Sequence, residues 1–230
     1  MALSQIEKVS MIKIYGVLVL ETLAEIADPQ HTALLVIDVQ NDSASPAGYL
    51  ASAGVDITAT RHTIPRITAV LAEARRLNLL IVFMRMTRSR DGSLESAPRL
   101  RMREKSVLTR GEIEYEKEGT WGNEVLDELD PRPRECQLVK YLSSSFIGTP
   151  LDSMLRNRGI RSAVVVGAVT EGCVETTVRD LEQYGYYPVV LRDCVSSRRQ
   201  DLHEAALLVM SARYDVVSSE ELLAIWRRAQ

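Results

Sequence analysis

Six short runs rich in β-branched and aliphatic residues recur along the chain, each separated from the next by a longer segment of mixed polarity. They are "ALLVID" at 33–38, "LLIVFMR" at 79–85, "CQLVK" at 136–140, "SAVVVGA" at 162–168, "YPVVLR" at 187–192 and "YDVVS" at 214–218. Near-continuous apolar runs are the mark of strands buried on both faces, as in a parallel sheet covered by helices, whereas a sheet with one wet face alternates polar and apolar residues. Segments at about 63–77, 150–158, 173–184, 202–212 and 219–229 carry the apolar spacing of helices. The expected fold is α/β, a three-layer α/β/α sandwich around a six-stranded, mainly parallel sheet.

A chain of 230 residues suits one such domain, placed here at residues 31–230. Residues 1–30 precede the first core strand, and "IKIYGVLVLETL" reads as a strand-like arm that packs on the domain or on a second subunit. The stretch from Thr87 to Arg134 is long for a connection and predicts an irregular loop with a short helix over the sheet edge. A flavodoxin-like strand order, 2-1-3-4-5, would set the strand ending in Lys140 between the one ending in Asp38 and the one before Cys173.

Composition removes several function classes. A net charge of −3, with basic residues scattered among acidic ones, makes no field to attract a nucleic acid. Even the densest basic stretch, Arg85 to Arg110, is interrupted by Asp91, Glu95 and Glu104. The apolar run Tyr15–Leu20 is too short to span a bilayer, so no membrane partner is expected. Cys136, Cys173 and Cys194 are an odd set with no C-x-x-C pair, which fits a reducing, cytoplasmic setting better than a disulfide framework. His31, His62 and His203 share no ligand spacing, and neither G-x-G-x-x-G nor a P-loop pattern occurs. No metal and no cofactor are expected.

Ligands of parallel α/β sheets bind at the carboxyl ends of the strands. Asp38 ends "ALLVID", Lys140 ends "CQLVK", and Cys173 follows the fourth run in a turn that opens a helix. Singly, each has an ordinary explanation: cysteine packs as a small hydrophobe, aspartate forms turns after strands, and a strand-end lysine faces water. Together on one edge they make a chemical set. A thiol of pKa about 8.5 is only a few per cent ionised at neutral pH, and a helix N-terminus and a nearby ammonium both favour the thiolate. Asp38 could take the thiol proton and deliver it to a leaving amine, with Lys140 as counter-charge. Backbone N–H groups of Val169 and Cys173 are placed to stabilise an oxyanion. Cys136 reads as a buried strand residue, and Cys194, which follows "VVLRD", as structural.

The motifs "LLVIDVQND" at 34–42, "LVKYLSSSFIGTPLDSMLRNRGI" at 138–160 and "VVVGAVTEGCVETTVRDLEQYGYYPVVLRDCVSS" at 164–197, in this order, resemble the cysteine hydrolases of the isochorismatase-like superfamily, which have a Rossmann-type fold. The resemblance implies that Asp38, Lys140 and Cys173 are the catalytic residues, that the Ala168–Val169 peptide is cis, and that the protein is a homodimer or homotetramer. Nicotinamidases of the superfamily carry an Asp-x-His metal motif where this chain reads "FMRMTRSRDG", and isochorismatases proper typically lack the cysteine. The expected reaction is therefore hydrolysis of a small carbamoyl, ureido or related amide through an acyl-enzyme. "NDSASPAGYLASAGVD" and "TPLDSMLRNRGIR" most resemble ureidoacrylate amidohydrolases, with biuret and N-carbamoylsarcosine amidohydrolases as relatives. Ser43 stands where a Phe is usual and opens one pocket wall. Candidate substrate-binding residues are Asn41, Arg85, Arg88, Trp121, Tyr141 and Phe146, the arginines suiting a carboxylate. The alternatives are an amidase for a larger or cyclic amide, an isochorismatase- or nicotinamidase-type hydrolase, and a catalytically silent binding subunit of the same fold.

Overall fold

The structure, a computed structural model, describes residues 12–104 and 114–229. Strands β1 (Ile12–Ile14) and β2 (Val17–Val19) form an antiparallel hairpin. The core strands are β3 (Thr32–Ile37), β4 (Leu80–Met86), β5 (Cys136–Lys140), β6 (Ser162–Ala168), β7 (Tyr187–Ser196) and β8 (Asp215–Val217). Short helices α1 (Leu23–Ile26), α2 (Asn41–Ala44) and α3 (Tyr49–Ser52) precede the long α4 (Thr58–Arg76). They are followed by α5 (Ala97–Glu104), α6 (Leu151–Asn157), α7 (Glu175–Gln183), α8 (Gln200–Ser211) and α9 (Ser219–Trp226).

The alternation of side chains along each strand divides the core between the two faces of the sheet. Leu34, Val36, Phe83, Val164 and Val166 pack with α4 and α9, through residues such as Ile67, Leu71, Leu222 and the fully buried Trp226. Leu35, Ile37, Val82, Val165 and Val190 face α6, α7 and α8, through Leu155, Val178, Leu181 and Met210. This is the expected sandwich, and every pairing within the six-stranded sheet is parallel.

The strand order is β5-β4-β3-β6-β7-β8, which in chain order of the core strands is 3-2-1-4-5-6. This is the order of the Rossmann-type fold that the resemblance implied, and not the flavodoxin-like one. Lys140 ends an edge strand, and β4 lies between it and the strand that leads to Asp38. The order reverses between β3 and β6, so the crevice at their carboxyl ends is the switch point where such sheets bind ligands. There the two strands approach closely, because a Cβ on Gly167 would lie 2.0 Å from the Ile37 carbonyl oxygen, at a φ of +125° that other residues rarely adopt.

Two other segments depart from expectation. The arm is a hairpin and not a single strand: Tyr15 and Gly16 both have positive φ (50° and 82°), as a two-residue turn matched to strand twist requires. It joins the domain at the buried Leu20, whose N–H donates to the Tyr187 hydroxyl at 3.1 Å. The 87–134 segment supplies the expected short helix, α5, but it crosses the carboxyl ends of the strands, pairing Gln40 with Val125 and Arg88 with Lys117. Residues 105–113 of that segment, and 1–11 of the arm, lie outside the described residues. Strand β7 outruns its apolar run because Arg192 and Asp193 hide its end.

Candidate active site

Three strand ends, those of β3, β5 and β6, bring polar side chains together at the crevice. Asp38 follows β3 in a left-handed conformation (φ 52°), its N–H donating to the Met84 carbonyl at 3.0 Å. This turns the carboxylate away from the run of the strand and into the protein, where it is buried. The last residue of β5, Lys140, reaches past the end of β4 and places Nζ 2.7 Å from Asp38 Oδ2, with its side chain fully buried. Nζ also donates to the carbonyls of Leu142 (3.1 Å) and Ser143 (3.4 Å), so the ammonium is held on several sides.

Cys173 lies in a single π-type turn, Thr170–Val174, that follows the cis Ala168–Val169 peptide and leads into α7. The Thr170 hydroxyl is 2.8 Å from His203 Nδ1 of α8, which ties the turn to a rigid helix. The thiol is within hydrogen-bonding reach of both the Asp38 carboxylate and the Lys140 ammonium. The three groups therefore meet, although their strands are not all neighbours.

The electrostatics correct the expectation of a resting thiolate. Burial, and then the negative charge of Asp38, push the Cys173 thiol up to about 12, and Lys140 offsets only part of this. Lys140 titrates above the ordinary lysine range: burial opposes its charge, but Asp38 and Cys173 more than compensate. The resting site is a neutral thiol beside a carboxylate–ammonium pair, so the thiol ionises only when its proton has somewhere to go. Removing one partner of a buried pair strands the other charge, which costs about 3–5 kcal/mol. Lys140→Met is expected to lower Tm by roughly 6–20 °C in a chain of this size, as read by a thermal melt, and to abolish activity.

A cavity of about 360 Å³ opens on the thiol. Asp38, Cys173, Val169, Arg88 and Ser43 are among its lining residues, with an apolar wall that includes Leu50, Ile57 and Met86. The Ser43 hydroxyl donates to the Asp38 and Gln40 carbonyls at 3.2 and 3.1 Å, so it is held against the turn that carries Asp38. Val169, whose N–H is expected at the oxyanion position, is on the lining beside Gly172 and Cys173.

The other sequence-named residues are placed outside the cavity lining. Asn41 is a buried tie, donating to the Trp121 carbonyl and Asp127 Oδ1 (both 3.1 Å) and accepting from the Asp127 N–H. Arg85 pairs with Glu124, and the half-exposed Trp121 donates from Nε1 to Asp127 at 3.1 Å. Tyr141 titrates above its ordinary range through burial and the nearby Glu118. Phe146 is in the core, stacked on Tyr184 at a centroid distance of 4.6 Å. Cys194 is fully buried, whereas Cys136 is half-buried against the core.

Sequence reasoning missed Arg99, Tyr115, Glu116 and Arg198, all of which line the cavity. Glu116 is buried, and its carboxyl is raised to about 7 by burial and then by Asp38, with a Tyr115 hydrogen bond and Arg88 opposing. Tyr115 packs against Tyr49 at 5.7 Å between centroids, with the Arg88 guanidinium 5.1 Å from its ring centre. Nothing in "GEIEYEKEG" distinguishes Glu116 from a solvated acidic run. Among the described residues, no three His, Cys, Asp or Glu side chains gather as metal ligands, and no helix is long and apolar enough to cross a membrane.

The sequence model of the isochorismatase domain matches residues 32–221. A solved isochorismatase family protein from Desulfovibrio vulgaris subsp. vulgaris str. Hildenborough is 30% identical, with a TM-score of 0.72 over 86% of this chain and 99% of that one. N-carbamoylsarcosine amidase from Thermoplasma acidophilum is 26% identical, with a TM-score of 0.65 over 82% of this chain and 96% of its own. A cysteine hydrolase from Pseudomonas syringae pv. phaseolicola 1448A shares the fold at a TM-score of 0.75, with 24% identity over 88% of this chain and 95% of its own.

Proposed function

The chain belongs to the isochorismatase family of hydrolases, and within it we propose a cysteine-dependent amidohydrolase that cleaves a C–N bond of a small carbamoyl, ureido or related amide. One observation carries this reading: a buried Asp38–Lys140 ion pair of 2.7 Å stands against the Cys173 thiol at the floor of a cavity.

As Sγ attacks the carbonyl carbon, Asp38 takes the thiol proton, and the C–O π electrons move onto oxygen. The backbone N–H groups of Val169 and Cys173 receive that oxyanion. Protonated Asp38 then passes its proton to the leaving nitrogen, the C–N bond breaks, and the amine departs from a thioester. Water repeats the sequence: Asp38 accepts its proton, the hydroxyl adds to the thioester carbon, and the sulfur leaves with the proton that Asp38 returns. Lys140, paired with Asp38 at 2.7 Å, partly balances the negative charge as it moves to sulfur.

A volume of about 360 Å³ is at the small end of ligand cavities, which favours a compact acyl group over a large or cyclic amide. Arg88, Arg99 and Arg198 on the lining suit a substrate carboxylate, in keeping with the N-carbamoyl acid in the name of one relative. A panel of N-carbamoyl acids, ureido acids, biuret, nicotinamide and cyclic amides, assayed for ammonia or amine release, tests the reading. Turnover of a small carbamoyl or ureido compound is expected; turnover confined to the cyclic amides, or release from none, would overturn it.

A further inference from the structure

The mechanism above leaves one buried ionisable side chain of the cavity without a task. Glu116 and Asp38 are the carboxyl groups that line the cavity among the described residues, and Asp38 is already engaged by Lys140 and the thiol. Glu116 is fixed from several directions. Its N–H donates to Asp42 Oδ2 at 2.7 Å, and its carbonyl accepts from the Arg88 N–H (3.0 Å) and Asn123 Nδ2 (3.1 Å). Its backbone is left-handed (φ 55°), a conformation uncommon for residues other than glycine. Gly122 makes room for this tie, because a Cβ there would lie 2.1 Å from the Asp42 carboxylate.

We propose that Glu116 determines specificity: its carboxylate accepts hydrogen bonds from the N–H groups flanking the scissile carbonyl, so the pocket selects carbamoyl and amide substrates over esters of the same shape. This rests on the amidohydrolase reading and adds to it the group that reads nitrogen. The cavity's arginines can only donate, whereas an N–H-rich substrate needs an acceptor. A buried carboxylate that, among the described residues, takes a hydrogen bond from Tyr115 has further lone pairs to offer. An ester occupant would leave them unpaired in a desolvated site, and such a loss discriminates more strongly than shape alone.

The charged and titratable groups around Glu116 come from several elements. Asp38 follows β3, Asp42 is in α2, Arg88 follows β4, Arg99 is in α5, Lys140 ends β5, Cys173 precedes α7 and Arg198 precedes α8. With Asp38 opposing its charge and Arg88 and Lys140 favouring it, Glu116 ionises near neutrality, at about 7. Acceptance of N–H groups should therefore strengthen as pH rises through that value.

The test uses the purified full chain hydrolysing p-nitrophenyl acetate, with N-carbamoylglycine or acetoxyacetate as competitor. Acetoxyacetate is of similar size and charge but has no N–H. Each yields a competition constant whether it is cleaved or only bound. For the wild type, N-carbamoylglycine should compete better at pH 8 than at pH 6, and acetoxyacetate should not. In Glu116→Gln that pH step should vanish and N-carbamoylglycine should weaken about tenfold at pH 8, against less than about twofold for acetoxyacetate. Glu116→Asp should keep part of the preference. Equal losses for both competitors, no pH step in the wild type, or no competition by N-carbamoylglycine would overturn the proposal. Should Glu116→Gln not fold, the wild-type pH step decides alone. Competition without cleavage would count against the amidohydrolase reading for this compound, while the same constants still judge Glu116.

Discussion

Cys173→Ala is expected to eliminate amide turnover, by roughly ten-thousand-fold or more, while the thermal melt stays within a few degrees of wild type. The first part follows from the chemistry proposed for the site. Without sulfur no bond forms to the carbonyl carbon, and the proton that Asp38 would carry has no source. The second follows from packing, since Cys173 as a residue is only half-buried, at the fringe of the core that holds Val174 and Val178. Loss of one small side chain there removes little apolar area. Retained turnover in this variant would rule out covalent catalysis through Cys173.

Asp38→Asn should move two measurements in opposite directions. Asp38 is one of the causes that hold the Cys173 thiol near 12, with burial ahead of it and Lys140 opposing. Its removal leaves the Lys140 charge facing the sulfur, so the thiol should become more acidic. A tenfold gain in thiolate is partly offset by the lower nucleophilicity of a less basic sulfur, and alkylation by iodoacetamide at pH 8 should speed up by roughly threefold for each unit the thiol falls. Turnover should nevertheless drop about a hundred- to ten-thousand-fold, because no group remains to shuttle the proton to the leaving nitrogen. A variant that loses both alkylation and turnover would point to a collapsed site, and one that keeps turnover would remove Asp38 from the mechanism.

The fold and the meeting of Asp38, Lys140 and Cys173 were legible for the same reason. Burial makes the core strands nearly continuous apolar runs, so a polar residue at the end of one is visible against the run. Strand order was not legible: Lys140 reaches Asp38 past an intervening strand, and this depends on how helices cross the sheet, which local patterning does not encode. The hairpin was missed although Tyr15-Gly16 carried a turn signal, because the flanking strands have only three residues each.

The pocket beyond these three residues was harder to read. Asn41 and Trp121 are near the site in sequence logic, yet Asn41 spends its amide on the Trp121 carbonyl and Asp127, knitting the 87–134 segment onto α2. That segment then presents Glu116 and Tyr115 to the cavity, from a stretch whose acidic composition looks like a solvated surface. Charge state was also hidden. The sequence places a lysine and a helix start near Cys173, but only the packed site shows that burial and Asp38 outweigh them.

Mass spectrometry of the acid-quenched protein during turnover of a carbamoyl or ureido substrate tests the central claim most directly. The account predicts that the peptide containing Cys173 gains the mass of the substrate's acyl group, that the adduct disappears as substrate is exhausted, and that Cys173→Ala shows none. Full turnover with the acyl group on another residue, or continued hydrolysis by Cys173→Ala, would contradict it.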